Sequence, residues 1–140
     1  MIRVTAHSFR GIHIVALMAK LLIVECDDHT NGRFQEMFAA RGFDTFGTWS
    51  GHEALKLLES AEFNIVLVDN YLPDLYVGDF LERLSRVPVQ PRIVVMHQSL
   101  PTDWELSLFA SVGAFTVDKT DTVKVCAAVI ACRDGMRWRS

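Results

Sequence analysis

No apolar run in this chain is long enough to cross a bilayer as a helix, which takes about 20 residues. The nearest candidate, Ile12 to Ala19, is interrupted by His13 and closed by Lys20. It therefore reads as neither a membrane span nor a secretory signal. Basic residues are not in excess either. Fourteen Lys and Arg stand against 17 Asp and Glu, a formal net charge of -3, which excludes the basic footprint of a nucleic-acid-binding face. Cysteine is scarce and irregular. Cys26, Cys126 and Cys132 form no CxxC and no Cys/His cluster, so neither a disulfide scaffold nor a zinc site is expected, and a reducing cytosol is. Cys126 and Cys132 read as helix packing. Internal repeats and low-complexity linkers are absent as well.

What remains is a composition that is half apolar and 22% charged, spread over 140 residues, the size of one soluble domain with one core. Residues 1–17 differ from the rest, being basic and without Asp or Glu. They are expected to be an extension outside the fold, with the domain spanning residues 18–140. From Lys20 onward, short β-rich runs alternate with helical patterns. The strands expected are Lys20–Glu25, Asp44–Trp49 (edge-like, with a Gly inside), Asn64–Val68, Arg92–Met96 and Ala114–Asp118. Between them, Phe34, Met37 and Phe38 share a helical face that stops at Gly42. Ala54, Leu57, Leu58 and Ala61 follow a capping-box pattern at Ser50–Glu53. Phe80, Leu81 and Leu84 mark a third helix, and Leu106, Phe109 and Ala110 a fourth behind the capping box Thr102–Glu105. Val123, Cys126, Ala127, Ile130 and Ala131 are expected as the inward stripe of the last helix. Five strands alternating with five helices imply an α/β fold with a parallel sheet covered on both faces.

In such sheets ligands sit beyond the carboxyl ends of the strands, near the topological switch point. The residues at those ends are Glu25-Cys26-Asp27-Asp28, then Asp69, then His97 with Ser99 nearby, then Lys119. Clustered carboxylate oxygens suit a hard divalent ion, Mg²⁺ first among them. A carboxylate beside such an ion can act as nucleophile toward a phosphoryl group, and a facing lysine can neutralise phosphoryl oxygens.

On these residues the chain resembles the receiver domains of bacterial response regulators. Val68-Asp69-Asn70-Tyr71-Leu72-Pro73-Asp74 is similar to the family's motif around its phosphorylated aspartate, and Lys119, 50 positions on, to the family's lysine. Lys119-Thr-Asp-Thr-Val and the segment Gly135 to Trp138 resemble the last helix and exit of receivers joined to helix-turn-helix output domains. The resemblance covers residues 20 to about 138. It implies a flavodoxin-like, doubly wound parallel sheet of strand order 2-1-3-4-5. It also implies a phosphoryl acceptor at Asp69 assisted by Lys119 and His97, and a Mg²⁺ site at Glu25, Asp27 and Asp69. A sensor histidine kinase or phosphotransfer protein would be the donor. No enzymatic activity beyond the domain's own phosphorylation and dephosphorylation is expected, and no contact with membrane or nucleic acid.

The chain departs from the family pattern in several places. Counting places Glu25 and Cys26 on the acidic pair, which puts a soft thiol at a metal-ligand position unless a one-residue slip brings in Asp27. In the alternative reading, Asp27 and Asp28 cap the following helix. His97 falls where the family has Ser or Thr, and Ser99 substitutes only if the loop bends. Leu75-Tyr76-Val77 lengthens the loop before Gly78, and the aromatic switch position falls on Thr116 beside Phe115. Thr120 stands where many members have proline. Carboxylates around Cys26 are expected to raise its pKa, against a redox role.

Two readings of function follow. One is a working receiver whose phosphorylation biases a two-state surface; because the sequence ends at Ser140, it would be a single-domain regulator or a piece of a longer protein. The other is a pseudo-receiver that binds partners without phosphorylation. A flavodoxin is disfavoured by the acids in the first loop, and a dehalogenase-type phosphatase by the lack of an Asp-x-Asp there. Leu100, Trp104, Leu108 and Phe115 mark a surface for a partner or a homodimer; covering the core edge is the plainer role for Trp104.

Overall fold

The computed structural model describes the backbone of residues 4–9 and 12–137 and the side chains of residues 18–135. Within the segment set apart by composition, residues 1–3, 10 and 11 lie outside the described residues, as do Trp138 and the two residues after it. Two strands, β1 (Val4–Phe9) and β2 (Ile12–Leu17), pair antiparallel, with Val4 opposite Leu17 and Phe9 opposite Ile12. They form a sheet of their own. The sequence reading assigned no strand here, although β-branched residues are frequent in both runs.

From Lys20 the elements alternate as the pattern implies. They are β3 (Lys20–Val24), α1 (Asp28–Ala39), β4 (Asp44–Thr48), α2 (Gly51–Ser60), β5 (Ile65–Asp69), α3 (Val77–Leu84), β6 (Arg92–His97), α4 (Asp103–Ser111), β7 (Phe115–Asp118) and α5 (Thr122–Arg137). The five strands of this sheet are parallel in the order β4-β3-β5-β6-β7. Taken by themselves they read 2-1-3-4-5, the doubly wound arrangement expected.

The continuous apolar runs mark strands covered on both faces. In β3 and β5 every residue is buried. One face carries Leu22, Val24, Val66, Val68 and Val95 against Ala54, Leu58, Phe80, Leu81 and Phe109. The other carries Leu21, Ile23, Leu67, Val94 and Met96 against Phe34, Phe38, Val125 and Val129. Each large side chain so buried contributes roughly 2 kcal/mol of transfer free energy. Gly42, with φ of +88°, takes the left-handed conformation that ends α1 and turns the chain into β4. The capping box at Thr102 and Glu105 is complete. Thr102 Oγ1 accepts from the Glu105 amide at 3.1 Å, and the Glu105 carboxylate accepts from the Thr102 amide at 2.9 Å.

Two helices are rotated relative to the sequence reading. In α5 the inward stripe is Val125, Val129 and Cys132, with Ala128 and two of the expected residues, Cys126 and Ile130, partly packed. Val123 is 79% exposed, and Ala127 and Ala131 also face out. The helix is apolar around most of its circumference, so two stripes satisfy the 3.6-residue period and the pattern alone cannot choose. In α4 the buried residue is Phe109, with Leu108 packed partly beside it. Leu106 and Ala110, expected inside, are exposed.

Candidate functional site

The chain turns from one side of the sheet to the other between β3 and β5, and the carboxyl ends of these neighbouring strands carry Glu25 and Asp69. Register pairs Val24 with Val68, so the residues that follow stand side by side. Glu25 continues the strand direction, its amide donating to the Thr48 carbonyl at 3.0 Å. Lys119 reaches in from the end of β7, its own amide held by the His97 carbonyl at 2.9 Å.

The three side chains meet. Lys119 Nζ donates to Asp69 Oδ2 at 2.7 Å and pairs with Glu25 Oε1. The Lys119 side chain is 13% exposed, that of Glu25 is fully buried and that of Asp69 is 9% exposed. Burial acts to lower the lysine's pKa, but the hydrogen bonds and charges of Asp69 and Glu25 outweigh it, so the ammonium is held above its ordinary range. The Glu25 pKa is also raised above its ordinary range, which for an acid disfavours the charged form. Burial raises its pKa and the repulsion of Asp69 adds to it, against the lowering by Lys119 and the Asp27 amide. The second oxygen of Asp69, Oδ1, accepts from the Tyr71 amide at 3.0 Å. The backbone beyond is fixed by the Asn70 amide on the Met96 carbonyl at 2.7 Å.

Asp27 stands apart from this trio. Its Oδ2 accepts from the Thr30 amide at 2.9 Å and from Thr30 Oγ1 at 2.6 Å, so it caps α1. These bonds lower its pKa. Asp28 accepts from Trp49 Nε1 at 3.1 Å. The capping alternative thus describes Asp27, while Asp28 stands in the first turn of α1 with its carboxylate on Trp49; among the described residues no group of three His, Cys, Asp or Glu side chains is gathered to hold a metal ion. The donor set nevertheless has the right chemistry for one. Glu25 and Asp69 offer hard oxygens on either side of a single cation, a place the Lys119 ammonium takes here. Cys26 is exposed beside them, its thiol pKa raised by burial first and then by the charges of Glu25 and Asp69. A protonated thiol is a poor ligand for a hard ion.

His97 contributes its carbonyl to the position of Lys119, and its imidazole makes no hydrogen bond to Asp69 or Lys119 among the described residues. It faces Asp118, whose pKa is lowered mainly by hydrogen bonds from Thr120 and further by the His97 charge. Instead Gln98 and Ser99 line a cleft of about 660 Å³ with Asp69, Asn70, Tyr71, Tyr76 and Glu105. Ser99 therefore stands on the wall of the cleft that Asp69 also lines.

The loop after Asp69 holds residues that sequence reasoning missed. Asp74 accepts from the Gly51 amide with Oδ1 and from the His52 amide with Oδ2, both at 2.9 Å, docking the loop on the first turn of α2. Tyr76 stacks on Trp104 of α4, with ring centroids 6.1 Å apart and planes 23° apart. Neither contact has a local sequence signal, since both partners come from different elements.

The sheet order is that of the receiver-domain fold. Solved structures of that class align closely in shape. A two-component response regulator from Clostridium difficile gives a TM-score of 0.75 at 16% identity, covering 85% of this chain and 98% of that one. A CheY-like receiver domain from Methylobacillus flagellatus gives 0.71 at 19% identity, covering 81% and 97%. The receiver domain of the Arabidopsis thaliana histidine kinase CKI1, complexed with Mg²⁺ and BeF₃⁻, gives 0.65 at 15% identity, covering 83% and 90%. Among curated proteins, the cell cycle transcriptional regulator CtrA of Caulobacter vibrioides is 26% identical over 91 residues, 65% of this chain. That match spans 39% of the regulator's own length. No protein-family model matches the chain.

Proposed function

We propose that the chain is a signalling receiver that accepts a phosphoryl group on Asp69 from a histidine kinase or phosphotransfer protein. The observation that carries this is the Lys119 ammonium bridging Asp69 and Glu25 at the switch point. One Asp69 carboxylate oxygen attacks phosphorus, and the bond from phosphorus to the donor breaks, its electron pair leaving with the donor. Lys119 holds positive charge where the phosphoryl oxygens arrive and keeps Asp69 oriented through its hydrogen bond to Oδ2. Mg²⁺ would be held by Glu25 and Asp69, with Asp27 as a third carboxylate once its cap on α1 is given up. When bound, the ion screens carboxylate charge from the incoming phosphoryl group. Ser99 and Gln98 are better placed than the His97 imidazole to hydrogen-bond that group.

The acyl phosphate biases a surface that a partner reads. Leu100, 89% exposed, and Phe115, 47% exposed, lie on the side of α4 and β7, and a second copy of the chain is the partner expected there. The domain touches neither nucleic acid nor membrane and works in the cytoplasm, where phosphodonors are supplied. It turns over no substrate beyond its own acyl phosphate. Among the described residues no helix is long and apolar enough to cross a membrane.

The test is intact mass after incubation with Mg²⁺ and acetyl phosphate, for the chain and for Asp69→Asn. One added phosphoryl group, absent in the variant, is expected. A second reading, a pseudo-receiver that binds partners unphosphorylated, is favoured by Cys26 at a metal-ligand position and by the commitment of Asp27 to the helix cap. No mass change under conditions that label an ordinary receiver decides for it.

A further inference from the structure

We propose that the Tyr76–Trp104 stack is a latch that holds α4 in its resting position and opens when a phosphoryl group on Asp69 enters the cleft beside it. This rests on Asp69 as the acceptor and names how its state leaves the site. The two halves of the contact are held with unequal firmness. Tyr76 ends the loop that Asp74 pins to the first turn of α2 through the Gly51 and His52 amides. Its ring lies across Gly78, where a Cβ would stand 2.5 Å from the Tyr76 Cε2 atom. The glycine is thus the space the ring occupies, and Val77 and Phe80 behind it are fully buried.

Trp104 belongs to a helix with far less to hold it. Phe109 is the buried residue of α4, where α3 buries Val77, Gly78, Phe80, Leu81 and Leu84. A helix so lightly packed is the element with the least resistance to displacement. The stack adds a contact at its first turn, between a Trp 61% exposed and a Tyr 47% exposed. Gln98 and Ser99, in the segment leading to α4, and Tyr76 itself wall the same cleft as Asp69. A phosphoryl group on Asp69 would add charged oxygens to a cleft that both sides of the latch line, Gln98 and Ser99 on one and Tyr76 on the other.

The experiment is hydrogen exchange of α4 in the full chain, Tyr76→Phe and Tyr76→Ala, first without ligand and then with Mg²⁺ and beryllium fluoride. Intact mass after acetyl phosphate is measured on the same proteins. Without ligand, α4 amides are expected to exchange faster in Tyr76→Ala and at the parent rate in Tyr76→Phe, which keeps the ring. With beryllium fluoride, the parent and Tyr76→Phe are expected to rise to the Tyr76→Ala level, while Tyr76→Ala itself stays unchanged. Equal α4 exchange in all three resting proteins overturns the latch. So does a chain that labels on Asp69 but whose α4 exchange ignores the ligand, or rises equally in Tyr76→Ala. A chain that takes no label at all overturns the acceptor reading and with it the opening step, while the resting comparison still decides the contact.

Discussion

Asn31 is a fully buried amide on a helix whose other buried residues are phenylalanines. Its Nδ2 donates to the carbonyls of Glu25 and Thr48, each at 2.9 Å, and its Oδ1 accepts from Gln35 Nε2 at 2.7 Å. It therefore ties the ends of β3 and β4 together directly behind Glu25. Gly47 leaves the room, since a Cβ there would meet Gln35 Nε2 at 2.2 Å and Asn31 Oδ1 at 2.5 Å. Replacing Asn31 by Ala leaves buried carbonyls short of a donor and is expected to cost about 2 kcal/mol in urea unfolding. Gly47→Ala is expected to cost a similar amount, and the double variant less than the sum, because the first substitution removes one of the two obstacles met by the second and releases the other, Gln35, from its hydrogen bond. Strict additivity would mean that the two residues are not coupled. At Lys119 the logic is electrostatic. Lys119→Met leaves Glu25 and Asp69 facing each other without a cation, and a loss of about 3 kcal/mol is expected from the same measurement. The trio itself was legible, because a parallel sheet brings its strand ends together whatever the loops do. The Asn31–Gly47 contact was not. A polar residue on a helix reads as a solvent-facing one, and only the crossing of α1 over β3 and β4 turns it inward.

Elements are joined here by single side chains at their ends, and Asp74 is the clearest case. Its carboxylate supplies both oxygens to the first turn of α2, where backbone N–H groups lack helical partners and the helix dipole favours an anion. Burial acts to raise its pKa, but the hydrogen bonds from His52 and Gly51 outweigh it, and the net direction is down from the ordinary 3.8. A carboxyl with a depressed folded pKa stabilises above its unfolded value and loses that contribution as pH falls through the folded one. Asp74→Asn is therefore expected to lose about 1 kcal/mol near neutral pH, the scale of a helix cap. The gap between variant and parent should close as pH drops below 3.8. A gap that persists undiminished in acid would assign the effect to shape rather than charge. The phases of α4 and α5 show what element-level patterns cannot settle. Where apolar residues surround a helix, as from Val123 to Cys132, the stripe that packs is chosen by where the preceding strand ends and how Asp121 starts the helix, its carbonyl accepting from Val125 at 3.0 Å. Where the polar face is broad, as in α1, the stripe Phe34–Phe38 leaves no such choice.

For the whole molecule, the open question of extent is which residue begins the domain. We propose that residues 1–17 are an extension and that the domain runs from residue 18. The sheet's hydrogen bonding starts at Ala19, whose carbonyl accepts from the Asp44 amide at 2.9 Å. Lys20 follows with its amide on Asn64 Oδ1 at 2.8 Å and its carbonyl accepting from the Asn64 amide at 3.0 Å. Its ammonium lies over the rings of Phe46, at 5.1 Å, and Phe63, at 4.7 Å, a cation–π arrangement that compensates for a lysine only 2% exposed. A chain begun at Met18 keeps all of these contacts and is expected to unfold within about 0.5 kcal/mol of the parent. A chain begun at Leu21 loses the backbone bonds at both edges of β3 and the cation between two rings, and a loss of about 2 kcal/mol or more is expected from the unpaired groups alone. The two truncations, compared by urea unfolding, bracket the boundary. Marked destabilisation of the first would bring β1 and β2 into the fold, and full stability of the second would move its start past Lys20.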